Sequence, residues 1–270
     1  MTRPYAEVIG DPIAHSKSPL IHGFWLDRLG IDARYEQCHV TPDALAGYFD
    51  ARRADPGWRG CNITIPHKEA ALALVADKGG IRDTIGAINT VFRDADGELT
   101  GTNTDAGGFI APIADVNLAG RPVVVIGSGG AARAILFALA RIGAGPVTLL
   151  ARNALKGAAL LSHFGLQGAV KPLDAPLPPA ALLVNASPLG MAGQPPLDID
   201  LAPLPGDAVV YDIVYAPLET PLLQAAEAQG LETVDGLDML VGQAALAFEI
   251  FFGSAPPRDD DDDLRRLLMS

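Results

Sequence analysis

Apolar residues in the first part of the chain follow two alternating patterns. Tyr5–Ile9 and Tyr35–Val40 are short apolar-rich runs that predict β-strands. A helix-start signal follows each run, Ser18-Pro19 in the first case and Thr41-Pro42 in the second, with apolar residues at helical spacing after it. The chain therefore begins with a predicted β-α-β-α order.

The next segment continues this alternation. Cys61–Ile65 alternates residue by residue as a strand does, and Pro66 then opens a predicted helix over Glu69–Ala76. Gly86–Phe92 repeats the strand pattern. A hairpin-like turn at Asp96-Gly97 and a helix from about 106 to 115 complete this part of the prediction.

The second half of the chain has strands of a more buried kind. Val123–Ile126 is continuously apolar, which is typical of a parallel strand covered on both faces, and it leads into a glycine-rich turn and a helix to about Ile142. Three further buried strands are predicted at Val147–Leu150, Leu182–Asn185 and Val209–Ile213. Helical or proline-rich segments separate them, and this order predicts a doubly wound α/β sheet.

We therefore expect two domains of the α/β class. Residues 1–105 form the first domain, and an apolar helix over Leu237–Phe252 is expected to return to it, so that 236–255 completes it. Residues 106–235 form the second domain. Residues 256–270 contain the run Asp259–Asp263, which we expect to be a solvated, partly mobile acidic tail.

Charge and composition narrow the range of partners. The formal net charge is −12 and the sequence pI is about 4.7, which disfavours binding to nucleic acid or to an anionic membrane. No signal peptide and no apolar run long enough to span a bilayer are evident. We expect a soluble cytoplasmic protein without a nucleic-acid or membrane partner, and the sequence leaves open whether it forms a homodimer.

The cysteines and histidines do not indicate a metal or disulfide site. Cys38 and Cys61 have neither CxxC spacing nor the density of a disulfide scaffold, which fits a reducing compartment. His15, His22 and His67 lack a second set of ligands at metal-binding spacing. We expect no bound metal.

A nucleotide site is predicted where the strand Val123–Ile126 meets its helix. Glycines permit close backbone approach, and a helix N-terminus offers free N–H groups to a pyrophosphate. The predicted contact residues are Gly127, Ser128, Gly129, Gly130 and Ala131. An ordinary glycine-rich turn is the alternative.

The choice of cofactor is expected after the second strand of this domain. An acidic residue there would bind the ribose of NAD, but the chain instead has Arg152 and Asn153, with Lys156 one turn later. A guanidinium can bind a phosphate through two charge-assisted hydrogen bonds, so we expect NADP. Arg152 and Lys156 could alternatively be solvated surface charges.

Four polar segments of the first domain lie at predicted strand ends, where ligand crevices of α/β proteins form. They are Ser16-Lys17-Ser18, Asn62–Lys68, Asn89-Thr90 and Asn103-Thr104-Asp105. Their hydroxyls, amides and charges suit a small ligand that carries a carboxylate and several hydroxyls.

The same segments resemble a known family. The sequence from Gly10 to His22, the Asn62–Lys68 stretch and Asn103-Thr104-Asp105 are similar to the three signatures of shikimate dehydrogenases. The similarity continues in collinear order through further motifs as far as Gly253. It implies two domains, an α/β substrate domain and a Rossmann-type domain that binds NADP, with reversible NADPH-dependent reduction of 3-dehydroshikimate to shikimate in aromatic amino-acid biosynthesis.

The resemblance also implies roles for individual residues. Lys68 and Asp105 match the catalytic pair of the family, and Ser16 and Ser18 match the residues that bind the substrate carboxylate. Five further residues match those that bind the substrate ring, namely Asn62, Thr64, Asn89, Tyr215 and Gln243. The residues that match the cofactor site are Gly127–Ala131, Arg152, Ser187, Val214, Gly236 and Met239.

General chemistry agrees with this assignment. Hydride transfer to a ketone carbon produces a developing alkoxide, which needs a proton donor or a positive charge, and Lys68 can supply either. Asp105 could hold the ammonium in place. Alternatively, Lys68 could be a surface charge, and Asp105 could act only as a helix N-cap.

Several functional hypotheses remain open from the sequence. A dehydrogenase that also accepts quinate would differ mainly by one hydroxyl on the substrate ring. Two further hypotheses are a nonenzymatic NADP-binding metabolite sensor and an unrelated oxidoreductase with the same two-domain plan.

Overall fold

The computed structural model describes residues 3–269 and contains two compact units. The first unit comprises the chain up to Asp105 and again from Val241 onward, and the second runs from Ala106 to Leu240. The sequence prediction differs slightly, because it groups 236–240 with the first domain. The α/β class with a Rossmann-like sheet is confirmed.

The first unit is built on a mixed sheet with strand order β2-β1-β3-β4-β5. The first three strands are parallel, and the last two run antiparallel as a hairpin. The strands are β1 (Tyr5–Gly10), β2 (Arg34–His39), β3 (Trp58–Ile63), β4 (Thr90–Arg93) and β5 (Leu99–Thr102). The helices are α1 (Ser18–Leu29), α2 (Leu45–Arg53) and α3 (Ile81–Thr84). The next helix, α4 (Asp105–Ile110), begins at the last residue of this segment and otherwise belongs to the second unit.

Two predicted helices are shorter than expected. The segment Glu69–Ala76 forms only a 3-10 turn at Ala70–Ala73, because the Ala76 backbone instead pairs with β5, with its N–H donating to the Leu99 carbonyl at 2.8 Å. Strand pairing has therefore overridden the helix propensity of the alanines. The helix expected to reach Asp115 ends at Ile110 and continues as a 3-10 turn that contains Pro112, which has no N–H to donate.

The second unit has a fully parallel sheet with strand order β11-β10-β9-β6-β7-β8. Its strands are β6 (Val123–Ile126), β7 (Val147–Leu150), β8 (Gly168–Lys171), β9 (Leu182–Asn185), β10 (Val209–Asp212) and β11 (Glu232–Val234), and its helices are α5 (Gly130–Arg141), α6 (Ala154–His163) and α7 (Pro221–Ala228). β6 is apolar throughout because Val123 and Val125 pack into one core while Val124 and Ile126 pack into another. β8 and β11 are short strands that the sequence analysis did not identify.

The chain then returns to the first unit through α8 (Gly236–Phe252), and α9 (Asp261–Met269) follows. Phe248 and Phe251 of α8 are buried, and Phe251 lies so close to Gly60 of β3 that a Cβ at this glycine would come within 2.3 Å of its ring. Only glycine fits at this position. Within residues 3–269, no helix is both long and apolar enough to cross a membrane.

The prediction for the acidic segment near the end of the chain is wrong. Instead of a mobile solvated tail, it forms a 3-10 turn (Arg258–Asp260) and α9, in which Leu264 and Leu268 are buried. Asp259 and Asp260 lie in the 3-10 turn, and the other three aspartates, Asp261–Asp263, occupy the first turn of α9, where carboxylates interact favourably with the helix dipole. Their arrangement therefore supports a helix rather than preventing one.

Candidate active site

The strand register of the first unit brings its polar segments together. Asn62 of β3 pairs with Thr90 of β4, and Thr90 pairs in turn with Thr102 of β5. The residues that flank these pairs, Asn89 before β4 and Thr104 after β5, consequently meet at the same end of the sheet.

The Asn89 amide is the centre of a buried hydrogen-bond network. Its Nδ2 donates to Thr104 Oγ1 and to Asp105 Oδ1, both at 2.8 Å, and lies 3.2 Å from Gln243 Oε1. Its Oδ1 accepts from the Thr104 backbone N–H at 2.7 Å. Asn89 is 1% exposed, so these partners replace water almost completely and fix the amide in one orientation.

Lys68 and Asp105 form an ion pair beside this network. Lys68 Nζ lies 2.5 Å from Asp105 Oδ2, and the two side chains are 16% and 6% exposed. The other oxygen of Asp105 is the one that accepts from Asn89. The carboxylate therefore holds the ammonium while it is itself held by an amide, which leaves a partly accessible cation in a defined position.

The backbone around Lys68 is anchored on both sides. The Lys68 carbonyl accepts from Ile88 N–H at 2.8 Å, and the ring of the preceding His67 is 2.6 Å from the Val40 carbonyl. His67 is buried and bonded in this way, so it has a structural role. The lysine is therefore presented from a fixed turn rather than from a free surface segment.

Asn62 connects the network to the segment that contains Ser16 and Ser18. Tyr35 Oη donates to Asn62 Oδ1 at 2.6 Å, and Asn62 Nδ2 donates to Thr90 Oγ1 at 3.1 Å. Burial raises the pKa of the Tyr35 phenol well above its usual value, and a hydrogen bond with Ser18 opposes this shift. The phenol thus stays protonated and serves as a donor.

The serine segment itself is a tight turn. The Ser16 N–H donates to the Ile13 carbonyl at 3.0 Å, and Ser16 Oγ accepts from the Ser18 N–H at 3.3 Å. The sequence predicts Ser18 as the N-cap of α1, but Ser18 is the first residue of the helix. Lys17 occupies the cap and makes no side-chain capping bond. Thr64 is half-buried just after the end of β3.

His22 is fully buried, and neither ring nitrogen has a hydrogen-bond partner. The ring stacks on Tyr35 with centroids 3.9 Å apart and an interplanar angle of 3°. Burial lowers the pKa of His22 to about 3, which keeps the imidazole neutral. Across residues 3–269, no group of three or more His, Cys, Asp or Glu residues is arranged to hold a metal ion.

The second unit contains the predicted nucleotide residues. Gly127 follows β6 with a φ of +111°, and a Cβ there would lie 2.8 Å from the Ala186 carbonyl oxygen, so the position requires glycine. α5 begins at Gly130, and its N-cap, Gly129, has no side-chain cap and no atom within 4 Å of where its Cβ would be. An open cradle at a helix N-terminus suits a pyrophosphate.

Three polar residues predicted to bind the cofactor differ in exposure and in hydrogen bonding. Arg152 is exposed directly after β7, whereas Asn153 caps α6 by accepting from the Lys156 N–H at 2.9 Å. Ser187 Oγ donates to Asn185 Oδ1 at 2.7 Å. Asn153 and Ser187 thus have structural partners as well as their predicted cofactor role.

The remaining predicted residues cluster around the end of β10. Val214 N–H donates at 3.0 Å to Asp212 Oδ1, and burial raises the pKa of this carboxyl. A Cβ on Gly236 would lie 2.5 Å from the carbonyl oxygens of Ile213 and Val214. Met239 is buried in the core of the second unit, and Tyr215 belongs to the same unit rather than to the one that holds Lys68.

The sequence assigns no individual role to three members of the first unit's network, namely Tyr35, Thr90 and Thr104. Thr90 and Thr104 lie in polar segments that the sequence does single out, and their pairing depends on the β4–β5 register. Tyr35 gave no signal, because a tyrosine in a strand usually serves only packing.

Known proteins of one family are similar to this chain. Residues 8–91 match the shikimate dehydrogenase substrate binding domain, and residues 236–260 match the shikimate 5'-dehydrogenase C-terminal domain. The chain is 66% identical to the shikimate dehydrogenase (NADP(+)) of Sphingopyxis alaskensis over 267 residues, which cover 99% of this chain and 97% of the relative.

Two solved structures illustrate the range of the fold. Shikimate 5-dehydrogenase from Thermus thermophilus, in complex with NADP(H) and shikimate, is 37% identical with a TM-score of 0.84, covering 98% of this chain and 99% of the other. Quinate dehydrogenase from Corynebacterium glutamicum, in complex with NAD, is 30% identical with a TM-score of 0.85 at the same coverage. On the strength of its identity to the Sphingopyxis enzyme along nearly the whole length of both chains, this protein belongs to the shikimate dehydrogenase family.

Proposed function

We propose that this chain catalyses the reversible NADPH-dependent reduction of 3-dehydroshikimate to shikimate, a step in aromatic amino-acid biosynthesis. The observation that carries the proposal is the Lys68–Asp105 ion pair, which is partly accessible and is held by the buried Asn89 amide. A cation fixed in this way among neutral hydrogen-bonding groups suits a ketone whose oxygen becomes negatively charged during reduction.

Lys68 acts on the reacting oxygen in this mechanism. Its ammonium stabilises the charge that develops on the ketone oxygen and donates a proton to it, and in the reverse direction the amine accepts the proton of the alcohol. Asp105 holds Lys68 Nζ at 2.5 Å and keeps it oriented. The carboxylate also offers an acceptor to a hydroxyl of the substrate ring.

The other residues bind and orient the substrate. Ser16 and Ser18 bind its carboxylate through their hydroxyls, and they lie on a turn that its own hydrogen bonds hold. We assign the ring hydroxyls to five further side chains, namely Asn62, Thr64, Asn89, Tyr215 and Gln243.

The second unit would hold NADP, which supplies or accepts the hydride when bound. Gly127–Ala131 at the start of α5 would receive its pyrophosphate, and Arg152 with Lys156 would face the 2′-phosphate. Ser187, Val214, Gly236 and Met239 would line the remainder of the site. The glycine cradle and the exposed guanidinium directly after β7 fit these groups.

A four-way assay tests the proposal. The purified protein is given shikimate or quinate, each with NADP or NAD, and reduced nicotinamide is followed by its absorbance. We expect turnover mainly with shikimate and NADP. Preference for quinate would instead favour an activity like that of the 30% identical quinate dehydrogenase. No turnover in any combination, from a folded protein that binds NADP, would favour the sensor hypothesis.

We further propose that the protein works in the cytoplasm on a small-molecule substrate, without a nucleic-acid or membrane partner. Cys38 and Cys61 are both free thiols, which is compatible with a reducing compartment. Sedimentation of the purified chain would decide between a monomer and a homodimer.

A further inference from the structure

Ion pairs join the start of α9 to the end of α1. Arg28, in the last turn of α1, lies 3.1 Å from an oxygen of Asp260 and 2.9 Å from one of Asp263. The apolar side of α9 is covered as well, because Leu264 and Leu268 are both at most 1% exposed. The acidic run of the sequence is thereby explained as one half of a contact between helices.

A hydrogen bond joins the opposite ends of the same two helices. Lys17, at the N-cap of α1, donates from Nζ to the backbone carbonyl of Leu268 in the last turn of α9. Carbonyls in the last turn of a helix have no partner within the helix and carry partial negative charge, so an ammonium is a favourable donor there. α9 therefore runs antiparallel to α1 and is held at both ends.

Lys17 lies between Ser16 and Ser18, so this contact reaches the proposed carboxylate site. The other side of the same turn is held by β2, where Gln37 Nε2 donates to the Ser16 carbonyl at 2.9 Å. The backbone that carries the two serines is consequently tethered from two directions. One tether comes from the neighbouring strand and the other from the last helix.

We propose that Lys17 is a positioning residue for substrate binding, which uses the C-terminal helix α9 as a fixed support to hold the Ser16–Ser18 turn. The proposal rests on the proposed function, in which these serines bind the substrate carboxylate. Lys17 acts through the backbone of the turn, since its ammonium is engaged by Leu268. A loosened turn must be ordered again each time the substrate binds, and this weakens binding without changing the Lys68 chemistry.

The central experiment compares the kinetics of Lys17→Met with those of the wild type. We expect an about ten-fold rise in KM for shikimate, the scale of losing one charge-assisted hydrogen bond, while kcat and the KM for NADP stay within about two-fold. Lys17→Arg, which keeps a donor, is expected to restore most of the affinity. Arg258→Met is the matched control. Arg258 pairs only three residues along the chain, with Asp261 at the start of α9, so this variant is expected to leave KM unchanged.

Removal of α9 separates positioning from a direct electrostatic effect of the Lys17 charge. A chain that ends at Pro257 is expected to show the same rise in KM as Lys17→Met, and combining the two changes is expected to add little. If the truncated chain keeps the wild-type KM, or if the two effects are additive, the proposal is wrong. Should truncation prevent folding, Arg28→Met loosens the opposite end of α9 and is expected to raise KM by a smaller factor.

Amide hydrogen exchange provides a readout that needs no turnover. Lys17→Met is expected to speed exchange in the turn at residues 14–18 and to leave the second unit unchanged. Unchanged exchange in the turn would overturn the proposal even if the enzyme is active. Ser18→Ala distinguishes failure of this proposal from failure of the proposed function. If Ser18→Ala raises KM for shikimate and Lys17→Met does not, the proposed function stands and only the role of Lys17 is rejected.

Discussion

Replacing Asn89 by Asp changes a single group at the centre of the site. In the native protein, Asn89 Nδ2 donates to Asp105 Oδ1 at 2.8 Å, and Asn89 Oδ1 accepts from the Thr104 N–H at 2.7 Å. Asn89→Asp keeps the acceptor but puts a carboxyl oxygen opposite the Asp105 carboxylate. The variant can reproduce the native hydrogen bond only while the introduced carboxyl carries a proton.

The cost can be estimated from the surroundings. Like charge and burial both raise the pKa of the introduced carboxyl, whereas Lys68 Nζ, 2.5 Å from the far oxygen of Asp105, opposes the shift. We take a net rise of about 2 pKa units above the unfolded value of about 3.9, which corresponds to about 2.7 kcal/mol. The folded variant then binds more protons than its unfolded chain between about pH 4 and pH 6, so its free energy of unfolding falls as the pH rises through this window.

Urea unfolding of the wild type and the variant at about pH 5 and about pH 8 measures this effect. The loss of stability from Asn89→Asp is expected to be about 1 kcal/mol larger at about pH 8, where the shift is fully expressed. Asn89→Ala is the control: it leaves the Thr104 N–H and Asp105 Oδ1 without this partner and costs about 3 to 5 kcal/mol at both pH values. An equal loss from Asn89→Asp at the two pH values would refute the reasoning.

Three other changes test separate parts of the account. Lys68→Met is expected to lower kcat by about 10²- to 10⁴-fold with little change in KM for shikimate, and steady-state rates that stay near wild type would contradict its role. Arg152→Met is expected to weaken NADP binding by about ten-fold or more and to leave NAD binding nearly unchanged, as measured by fluorescence titration; equal loss for both cofactors would point to a general structural effect. His22 has a folded-state pKa of about 3, below its unfolded value of 6.5, so its contribution to stability is present above about pH 6.5 and is lost as the pH falls. His22→Phe, which keeps a ring against Tyr35, is expected to remove about 2 kcal/mol of the stability difference between about pH 7 and pH 5, and an unchanged pH profile of unfolding would argue against a buried neutral imidazole.

The nucleotide-binding part of the fold was predictable because its signals are local. Val123–Ile126 is apolar on both faces, and Gly127 must adopt a positive φ, so strand, turn and helix follow from a short stretch of sequence. The hairpin of β4 and β5 was equally readable from its turn residues. In each case neighbouring residues determine the structure.

The errors arose where distant partners decide the outcome. The alanines of 69–76 favour a helix by propensity, but pairing of Ala76 with β5 takes their backbone bonds. The aspartates of 259–263 look like a solvated run, but two of them, Asp260 and Asp263, pair with Arg28, which is far away in the sequence. Tyr35 became part of the site only because β2 carries it to Asn62. These long-range pairings cannot be predicted from the composition of the chain or the spacing of its residues.

The return of the chain to the first unit also sets an order of events during synthesis. The second unit is continuous from Ala106 to Leu240, so all of its strands have left the ribosome before α8 is complete. The first unit must wait, because Phe251 fills the space against Gly60, and Gln243 joins the Asn89 network. Its early strands therefore emerge first yet close their core last, which makes them the part of the nascent chain that most needs protection from aggregation.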